Sequence, residues 1–271
     1  MTPVLYETHM HTPLCRHAVG MPVEYAGVAA RRGLRGIIVT CHAPMPDGYS
    51  APMRMKPGEF PAYVKMVEEA ATLCKGQTEV LLGLESDYYP GVEPWLKSLH
   101  QQAHFHYILG SVHPHVPAYL KRFFTGDPFE YQKTYFEHLA LAAETGLYDS
   151  LAHPDLVKNM DPEAWELSTI MPHIARSLDR IAATGVAMEL NTSGMNKAIA
   201  EMNPGPEILQ EIQKRGIPVV IGADAHEPGR VADGYEKALK HLSTSGFQTI
   251  SCFRDRTRRE VRIADALKSL S

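Results

Sequence analysis

The ten residues 8–17 read T-H-M-H-T-P-L-C-R-H and directly follow a short apolar run. Residues two apart in a strand point to the same face, so His9 and His11 are expected to project together. Pro13 has no N–H to give to a strand ladder and ends the strand, and His17 then returns a third imidazole from the loop. Neutral imidazole is a nitrogen donor for transition metals near pH 7. A single histidine here would most simply be a polar strand end, but three at this spacing indicate a metal site.

The composition is that of an ordinary globular protein. The chain has 271 residues, of which 44% are hydrophobic and 21% charged, so it can bury a sizeable core. We expect one domain over residues 1–271, because no repeat, linker or low-complexity segment interrupts the chain. The net charge of -4 gives no support to a nucleic-acid or membrane partner, and it leaves the oligomeric state open.

Cysteine usage and hydropathy predict a cytoplasmic protein. The four cysteines are far apart and form no C-x-x-C pair, which is typical of a reducing compartment and argues against a disulfide scaffold. The first residues lack the charged and apolar regions of a signal peptide. No apolar run approaches the roughly 18 residues that span a bilayer.

Short apolar runs alternate with longer helical patterns along most of the chain. The predicted strands are 4–6, 36–39, 79–82, 107–110, 149–152, 186–190 and 219–221. A last strand is predicted at 249–253, followed by an amphipathic helix from Arg258. This alternation indicates an α/β fold with parallel strands.

Nearly every predicted strand ends in a possible metal ligand. The full candidate set, including the loop residue, is His9, His11, His17, His42, Glu85, His113, His153, Asp224 and His226. Barrels collect catalytic groups at the carboxyl ends of their strands, whereas an open sheet uses a switch point. The pattern therefore favours a closed or nearly closed barrel with the metal site on one rim.

Nine candidate ligands are too many for one ion, because zinc sites usually take three or four protein ligands. They predict two or three divalent ions. Imidazole and carboxylate donors without thiolate suit Zn, Mn or Fe and disfavour Ca. The other seven histidines are expected to be surface or hydrogen-bonded residues, with His115 the closest to the site because it follows His113 by two positions.

Six motifs in order carry a family resemblance. They are H-x-H-T at 9–12, T-x-H at 40–42, G-L-E at 83–85, G-S-V-H at 110–113, A-H-P-D at 152–155 and A-D-A-H at 223–226. Together they resemble the polymerase and histidinol phosphatase (PHP) superfamily, and the nearest branch is the stand-alone histidinol-phosphate phosphatases. The resemblance implies a distorted (β/α)7 barrel with a trinuclear metal centre.

The resemblance also implies how the nine ligands are shared. One ion would be held by His9, His11, Glu85 and Asp224. A second would share Glu85 as a bridging carboxylate with His113 and His153. The third would be held by His17, His42 and His226. Every position holds the required residue type, which favours an active enzyme over a non-catalytic metal-binding protein.

The substrate contacts depart from the family pattern. Lys158 and Asn196 stand where these phosphatases usually carry phosphate-binding arginines, and Lys197 could substitute for the charge that Asn196 lacks. Arg54 in the proline-rich loop and Asn191 of the N-T-S-G motif are further candidate contacts. Cys41 replaces a family aspartate, so a carboxylate that would orient His42 is missing.

The resemblance predicts hydrolysis of a small phosphate monoester, with L-histidinol phosphate as the preferred substrate. Metal coordination lowers the pKa of water toward about 7 and so provides the nucleophile. Glu85, Asp224 and His226 are the predicted catalytic residues, with Asp224 or a histidine of the site relaying a proton to the leaving group. A nucleotide or another phosphoester is the alternative substrate, and a non-catalytic metal-binding protein is the alternative from another class.

Overall fold

The computed structural model describes residues 3–270. Seven parallel strands form one sheet in which each strand pairs with the next one in the chain. They are β1 (Tyr6–Glu7), β2 (Gly36–Val39), β3 (Glu79–Asp87), β4 (Tyr107–Ser111), β5 (Ser150–Leu151), β6 (Ala187–Asn191) and β7 (Val219–Gly222). Just beyond β1 and β7, the His11 N–H donates to Ala225 O and the Ala225 N–H donates to His9 O, both at 2.9 Å. These two bonds join the first strand to the last, and the predicted (β/α)7 barrel is confirmed.

Helices surround the barrel and connect its strands. They are α1 (Pro22–Arg31), α2 (Phe60–Leu73), α3 (Glu93–His100), α4 (Pro117–Phe123), α5 (Pro128–Glu144), α6 (Leu167–Thr184), α7 (Pro206–Lys214), α8 (Tyr235–Thr244) and α9 (Ile263–Ser269). Several begin with proline, whose missing N–H costs nothing in the first turn. None of the helices between residues 3 and 270 is long and apolar enough to cross a membrane.

The inside of the barrel is filled by apolar side chains at its amino end. Tyr6, Ile38, Leu81, Tyr107 and Val220 are buried there in one cluster. Phe253, which follows the barrel in the chain, completes this cluster and stacks on Tyr107 with ring centroids 5.3 Å apart. The inside of the barrel is therefore a packed core at this end.

The C-terminal region differs from its prediction. Residues after Arg258 were expected to be helical, but β8 (Thr249–Arg254) and β9 (Thr257–Arg262) form an antiparallel hairpin, and α9 begins only at Ile263. Asp255 and Arg256 in the turn both have positive φ, 52° and 56°. Positive φ at both central residues is typical of a tight hairpin turn that matches the twist of its strands. The turn therefore makes this region a hairpin, despite the helical pattern in its sequence.

Three further elements differ from their predictions. The long helix predicted from Pro162 begins five residues later as α6, and α4 lies in a segment predicted as a loop. The first strand was predicted at 4–6 and lies at Tyr6–Glu7. None of these shifts changes the order of the strands or the end of the barrel on which the candidate ligands lie.

Candidate metal centre

All nine predicted ligands meet at the carboxyl end of the barrel. Glu85 is the one that lies within a strand, β3, and the others follow the ends of β1, β2, β4, β5 and β7. Because the strands are parallel and in register around the barrel, residues just past their ends are brought to one rim. Seven of the nine follow strand ends in this way, Glu85 lies near the end of β3, and His17 reaches the same place from the loop after β1.

Glu85 lies at the middle of the cluster and is fully buried. Its Oε2 atom is 2.7 Å from His42 Nδ1 and 3.5 Å from His9 Nε2. Its Oε1 atom is 3.3 Å from both His113 Nε2 and His153 Nε2. The two oxygens thus face different histidines, which is the arrangement of a carboxylate able to serve two ions at once.

Asp224 is the second carboxylate of the cluster. Its Oδ1 atom lies 3.0 Å from His11 Nε2, 3.6 Å from His9 Nε2 and 3.4 Å from His226 Nδ1. On the outer side, His226 Nε2 is 2.9 Å from His17 Nε2. His17 Nδ1 donates to Cys15 O and His226 Nδ1 donates to Asp224 O. In the neutral rings both Nε2 atoms therefore carry lone pairs and face one another, an arrangement that suits a shared cation.

The chemistry of these donors fits divalent ions. The buried atom His9 Nε2 has no hydrogen-bond partner among residues 3–270, and a buried polar atom without a partner is costly. Donor atoms converge within 4.8 Å of one another in several groups of three, which include His9, His11 and Asp224 as one and His17, His42 and His226 as another. Another group is His11, His42 and Glu85, which mixes two of the ligand sets that the resemblance implied, so the sharing of ligands among the ions stays a prediction.

The pKa values of these ligands are shifted in both directions. Asp224 beside His11 and Asp87 beside His113 outweigh burial and raise the pKa of those imidazoles to about 9 and about 10, so an ion that binds there would displace a proton from each. Burial alone would raise the pKa of Glu85, but the surrounding histidines outweigh it and hold that pKa well below its usual value. Burial lowers the pKa of His42 to about 3. An ionised carboxylate and a neutral imidazole are therefore present at neutral pH, and both are ready to donate electron pairs to an ion.

A second carboxylate layer holds the histidines in place, and the sequence analysis missed it. Glu189 in β6 is buried, with Oε1 2.7 Å from His9 Nδ1, and its Oε2 accepts the His153 N–H at 2.9 Å. Gly222 makes room for this contact, because a Cβ there would collide with Glu189 Oε1 and His9 Cβ. The one feature of the sequence that points to Glu189 is that it is the single acidic residue of β6. Carboxylates behind ligating histidines fix their orientation.

Asp87 plays the same part for His113, with Oδ2 3.1 Å from His113 Nδ1. Burial would raise the pKa of Asp87, but Arg54 and His113 outweigh it and lower that pKa. Arg54 Nη2 donates to Asp87 Oδ2 at 2.8 Å, and Arg54 Nη1 donates to Ala43 O at 3.0 Å. Arg54 also lines the cavity over the ligands, but its charge is paired with Asp87, and its role as a phosphate contact stays a prediction.

Lys158 lies away from the centre. It is fully buried, and its Nζ donates to Asp155 Oδ2 at 2.8 Å, to Glu201 Oε1 at 2.7 Å and to Met202 O at 3.3 Å. All three ammonium hydrogens are thus used inside the protein. The structure corrects its predicted role from phosphate binding to clamping the segment after β5 against the one before α7.

Of the other predicted substrate contacts, two lie outside the cavity and one lines it. Asn191 is buried behind the ligands, where its Nδ2 donates to Glu189 Oε2 at 2.9 Å and its Oδ1 accepts from Ser193. Asn196 is exposed and donates to Ser193 O at 3.4 Å. Neither lines the cavity over the metal site, whereas Lys197 does. Lys197 is the predicted contact that the structure leaves available to a substrate.

Cys41 does not replace the missing carboxylate. It is buried, and its Sγ accepts a hydrogen bond from Thr12 Oγ1 at 3.1 Å. Burial raises the pKa of the Cys41 thiol well above its usual value, so the group stays neutral. His42 is oriented instead by Glu85 itself.

A cavity of about 270 Å³ opens over the ligands. One side is formed by six of the nine candidate ligands, and the others by the loops after β2, β4, β5 and β6. Its remaining lining residues are Ser50, Met53, Arg54, His115, Val116, Leu156 and Lys197. The volume suits a small molecule held against the metal site.

The fold and the site define a class of protein, a (β/α)7 barrel with candidate metal ligands at the carboxyl ends of its strands. Comparison with known proteins identifies the family. Residues 7–193 match the family described as PHP domain, and the chain belongs to that family. A protein of Deinococcus radiodurans that carries the name "Probable histidinol-phosphatase" is 35% identical over 261 residues, 93% of this chain and 97% of the relative. A protein of Bacillus subtilis named histidinol-phosphatase is 26% identical over 260 residues, 86% of this chain and 97% of the relative.

A solved structure shows the same fold. The histidinol phosphate phosphatase of Lactococcus lactis, which is described as complexed with zinc, L-histidinol and phosphate, superposes with a TM-score of 0.78 at 18% identity. The match covers 94% of this chain and 98% of the other. At that identity the comparison establishes the barrel, and the argument about activity rests on the residues described above.

Proposed function

We propose that this protein is a metal-dependent phosphatase that hydrolyses L-histidinol phosphate to L-histidinol and phosphate. The observation that carries the proposal is a complete set of nine ligands beside a small cavity. The relative that is 35% identical over nearly the whole chain carries the name of the same activity. We place the protein in histidine biosynthesis and in the cytoplasm, as a single domain without a nucleic-acid or membrane partner.

The ligands fit two or three ions of zinc, iron or manganese. His9, His11, Glu85 and Asp224 would hold one, and Glu85 would be shared with His113 and His153 for the next. His17, His42 and His226 would hold the third. When bound, such ions lower the pKa of water and offset the charge that develops on a transferring phosphoryl group.

Lys197 supplies the charge that the protein itself adds to the phosphate. It lies on the cavity wall, and its Nζ has no hydrogen bond or ion pair to the other residues described by the structure. An ammonium group without a partner can turn toward a phosphate oxygen and offset its charge. Lys158 and Arg54 cannot do this without leaving Asp155 or Asp87 buried and unpaired.

Asp224 is placed to move a proton. It lines the cavity, its side chain is 14% exposed, and its Oδ2 accepts from Ser193 Oγ at 3.3 Å. Burial raises the pKa of Asp224, but His9, His11 and His226 outweigh it and hold that pKa well below its usual value. The carboxylate is therefore an acceptor at neutral pH. It would accept a proton from the attacking water and then pass that proton, through a second water, to the leaving alkoxide.

A second candidate function is hydrolysis of a nucleotide or another small phosphoester by the same centre. The observation that favours it is the loss of both family arginines, since Lys158 is buried and Asn196 is exposed away from the cavity. Fewer fixed contacts to the phosphate would relax the choice of ester.

The test is phosphate release from L-histidinol phosphate by metal-reconstituted protein, beside p-nitrophenyl phosphate and a panel of nucleotides. We expect kcat/KM for L-histidinol phosphate to exceed the others by at least about tenfold, which is a difference of about 1.4 kcal/mol in transition-state binding. Equal or better turnover of a nucleotide would favour the second candidate. No turnover of any ester by protein that holds its metals would contradict both.

A further inference from the structure

We propose that His115 is a further substrate-binding residue whose ring N–H donates a hydrogen bond to the phosphoryl group beside Lys197, an inference that rests on the proposed function. His115 is none of the nine candidate ligands, yet it lines the cavity over them. The residue is exposed, and its ring has no hydrogen bond or ion pair to the rest of residues 3–270. An accessible imidazole without a partner at a cavity wall can bond to a molecule that enters the cavity.

A fixed turn presents this ring to the cavity. The Val116 N–H donates to His113 O at 3.2 Å, which closes a four-residue turn with Pro114 at its second position. Proline is favoured there because its φ is already that of the turn. Tyr131 Oη donates to Pro114 O at 2.5 Å and Val116 is buried, so the turn is held against the protein. His115, at the third position, is therefore carried by a backbone that is set before a substrate arrives.

The ring of His115 lies on the side of the cavity that His113 forms. The two rings meet edge to face, with centroids 5.5 Å apart and planes at 81°. Both nitrogen atoms of His113 are directed at carboxylates, Nδ1 at Asp87 Oδ2 at 3.1 Å and Nε2 at Glu85 Oε1 at 3.3 Å. The contact between the rings therefore uses none of the hydrogen-bonding capacity of His115, which is left for solvent or a ligand.

Lys197 is a neighbour of His115 on this side. Although His115 is exposed, desolvation by the cavity wall lowers its pKa to about 4, and the charges of His113, His153 and Lys197 contribute in the same direction. A charge has that influence only at short range, because solvent and salt screen it with distance. The Lys197 ammonium group therefore lies near the ring, and an anion held by one of these side chains is close to the other.

Charge favours the phosphoryl group over the rest of the ester as the partner of His115. A phosphoryl oxygen carries negative charge, and an N–H bonds to a charged oxygen about twice as strongly as to a neutral one. A neutral imidazole already carries one N–H, so the bond does not depend on protonation of the ring. Arg54, the other cation that lines the cavity, is paired with Asp87. His115 and Lys197 are therefore the two groups outside the ligand set that can meet a phosphate with unpaired N–H donors.

The variants His115→Phe and His115→Gln separate the ring from its N–H. Phenylalanine keeps an aromatic ring against His113 without a donor, whereas glutamine keeps an N–H donor without the ring. Binding of inorganic phosphate and of L-histidinol to metal-reconstituted protein is measured by calorimetry, together with kcat and KM for L-histidinol phosphate. His104→Phe is the matched control, at an exposed histidine that lies 3.0 Å from Asp255 in the turn between β8 and β9. Metal content is determined for each protein.

We expect His115→Phe to bind inorganic phosphate about tenfold more weakly, the loss of one hydrogen bond to a charged group. The KM for L-histidinol phosphate should rise by a similar factor, with kcat, L-histidinol binding and metal content unchanged. His115→Gln should keep most of the affinity for phosphate, and His104→Phe all of it.

Unchanged phosphate binding by His115→Phe, or weaker binding of L-histidinol instead, would overturn the assignment. Loss of metal would overturn it as well, because the ring would then support His113 and not a phosphate. Each of these results leaves the proposed function standing if the wild-type protein hydrolyses L-histidinol phosphate. A wild-type protein that hydrolyses no ester, yet binds phosphate in a way that depends on His115, would contradict the proposed function and support this contact.

Discussion

The two ends of the barrel are built from the same seven strands but hold opposite kinds of side chain. At the amino end, Tyr107 and Phe253 stack within a closed apolar cluster. At the carboxyl end, Glu85 is buried and Asp224 half-buried among histidines, and donor atoms such as His9 Nε2 have no partner within the described part of the chain. Packing at the amino end stabilises the folded state. The carboxyl end instead contains buried polar atoms that lack hydrogen-bond partners, which a bound ligand can supply.

Burial changes the free energy of the folded state in opposite directions at the two ends of the barrel. Phe253 and Glu85 are both buried. Burying an aromatic ring is favourable in itself, whereas burying a carboxylate is unfavourable unless opposite charges surround it. Changes at the amino end should therefore act on stability, and changes at the carboxyl end on metal content and turnover. Four predictions test that division, from the largest effect to the smallest.

Glu85→Ala should have the largest effect. It removes a carboxylate whose two oxygens face different histidines, so more than one equivalent of metal should be lost. We expect kcat/KM to fall by at least about 1000-fold, because metal ions contribute several kcal/mol to such reactions. Elemental analysis and phosphate release measure the two effects. Glu68→Ala on the exposed face of α2 is the control, and loss of only one equivalent would count against a bridging role for Glu85.

Phe253→Ala should destabilise the protein with little effect on the site. The side chain is 6% exposed and stacks on Tyr107, and replacing a buried phenylalanine by alanine costs about 3 kcal/mol. Urea unfolding of the metal-loaded protein measures this loss. Phe124→Ala, at a position that is 43% exposed, should change stability much less. If the Phe253 variant lost its metals or its kcat/KM while still folded, the two ends would not be independent.

Glu189→Gln should weaken metal binding without removing a ligand. The carboxylate lies 2.7 Å from His9 Nδ1 and receives the His153 N–H, and partners of this kind change metal affinity by about 10- to 100-fold. Titration against a chelator measures the affinity, with Glu207→Gln on α7 as the control. Unchanged affinity would mean that His9 is held by the barrel backbone alone.

Lys197→Met should have the smallest effect of the four. It removes a cationic group from the cavity wall, and we expect KM for the phosphate ester to rise about tenfold with metal content unchanged. Lys158→Met provides the contrast, because it leaves Asp155 short of its cation. That variant should lose about 3 kcal/mol of stability and keep its KM. If Lys158→Met instead raised KM and Lys197→Met lowered stability, Lys158 would be assigned to the phosphate site.

Most of the fold was predictable, because it depends on local pattern. Strands such as 36–39 and 219–221 stood out as short apolar runs between helical segments, and they lie where they were predicted. The hairpin of β8 and β9 was not predictable in the same way. Its second strand is exposed along nearly its whole length, so it carries no alternation of buried and exposed residues, and the turn geometry at Asp255 and Arg256 decided it.

The nine candidate ligands were predictable for a topological reason. Parallel strands bring their carboxyl ends to one rim, so a residue type that recurs after each strand must meet there, and His42 and His153 could be paired without knowing any distance. The layer behind them could not be predicted. Glu189 and Asp87 are acids within strands, and nothing local shows which histidine each one faces.

The sequence by itself determined the class of fold, the rim and the residues that meet on it, because each follows from the period of a strand and the direction of its chain. The tertiary structure decided which polar side chains are left available to a substrate. Lys158 and Lys197 look alike in the sequence, yet one is enclosed by Asp155 and Glu201 and the other lines the cavity. Charge pairing inside a protein depends on distances between segments far apart in the chain, and only the folded structure sets those distances.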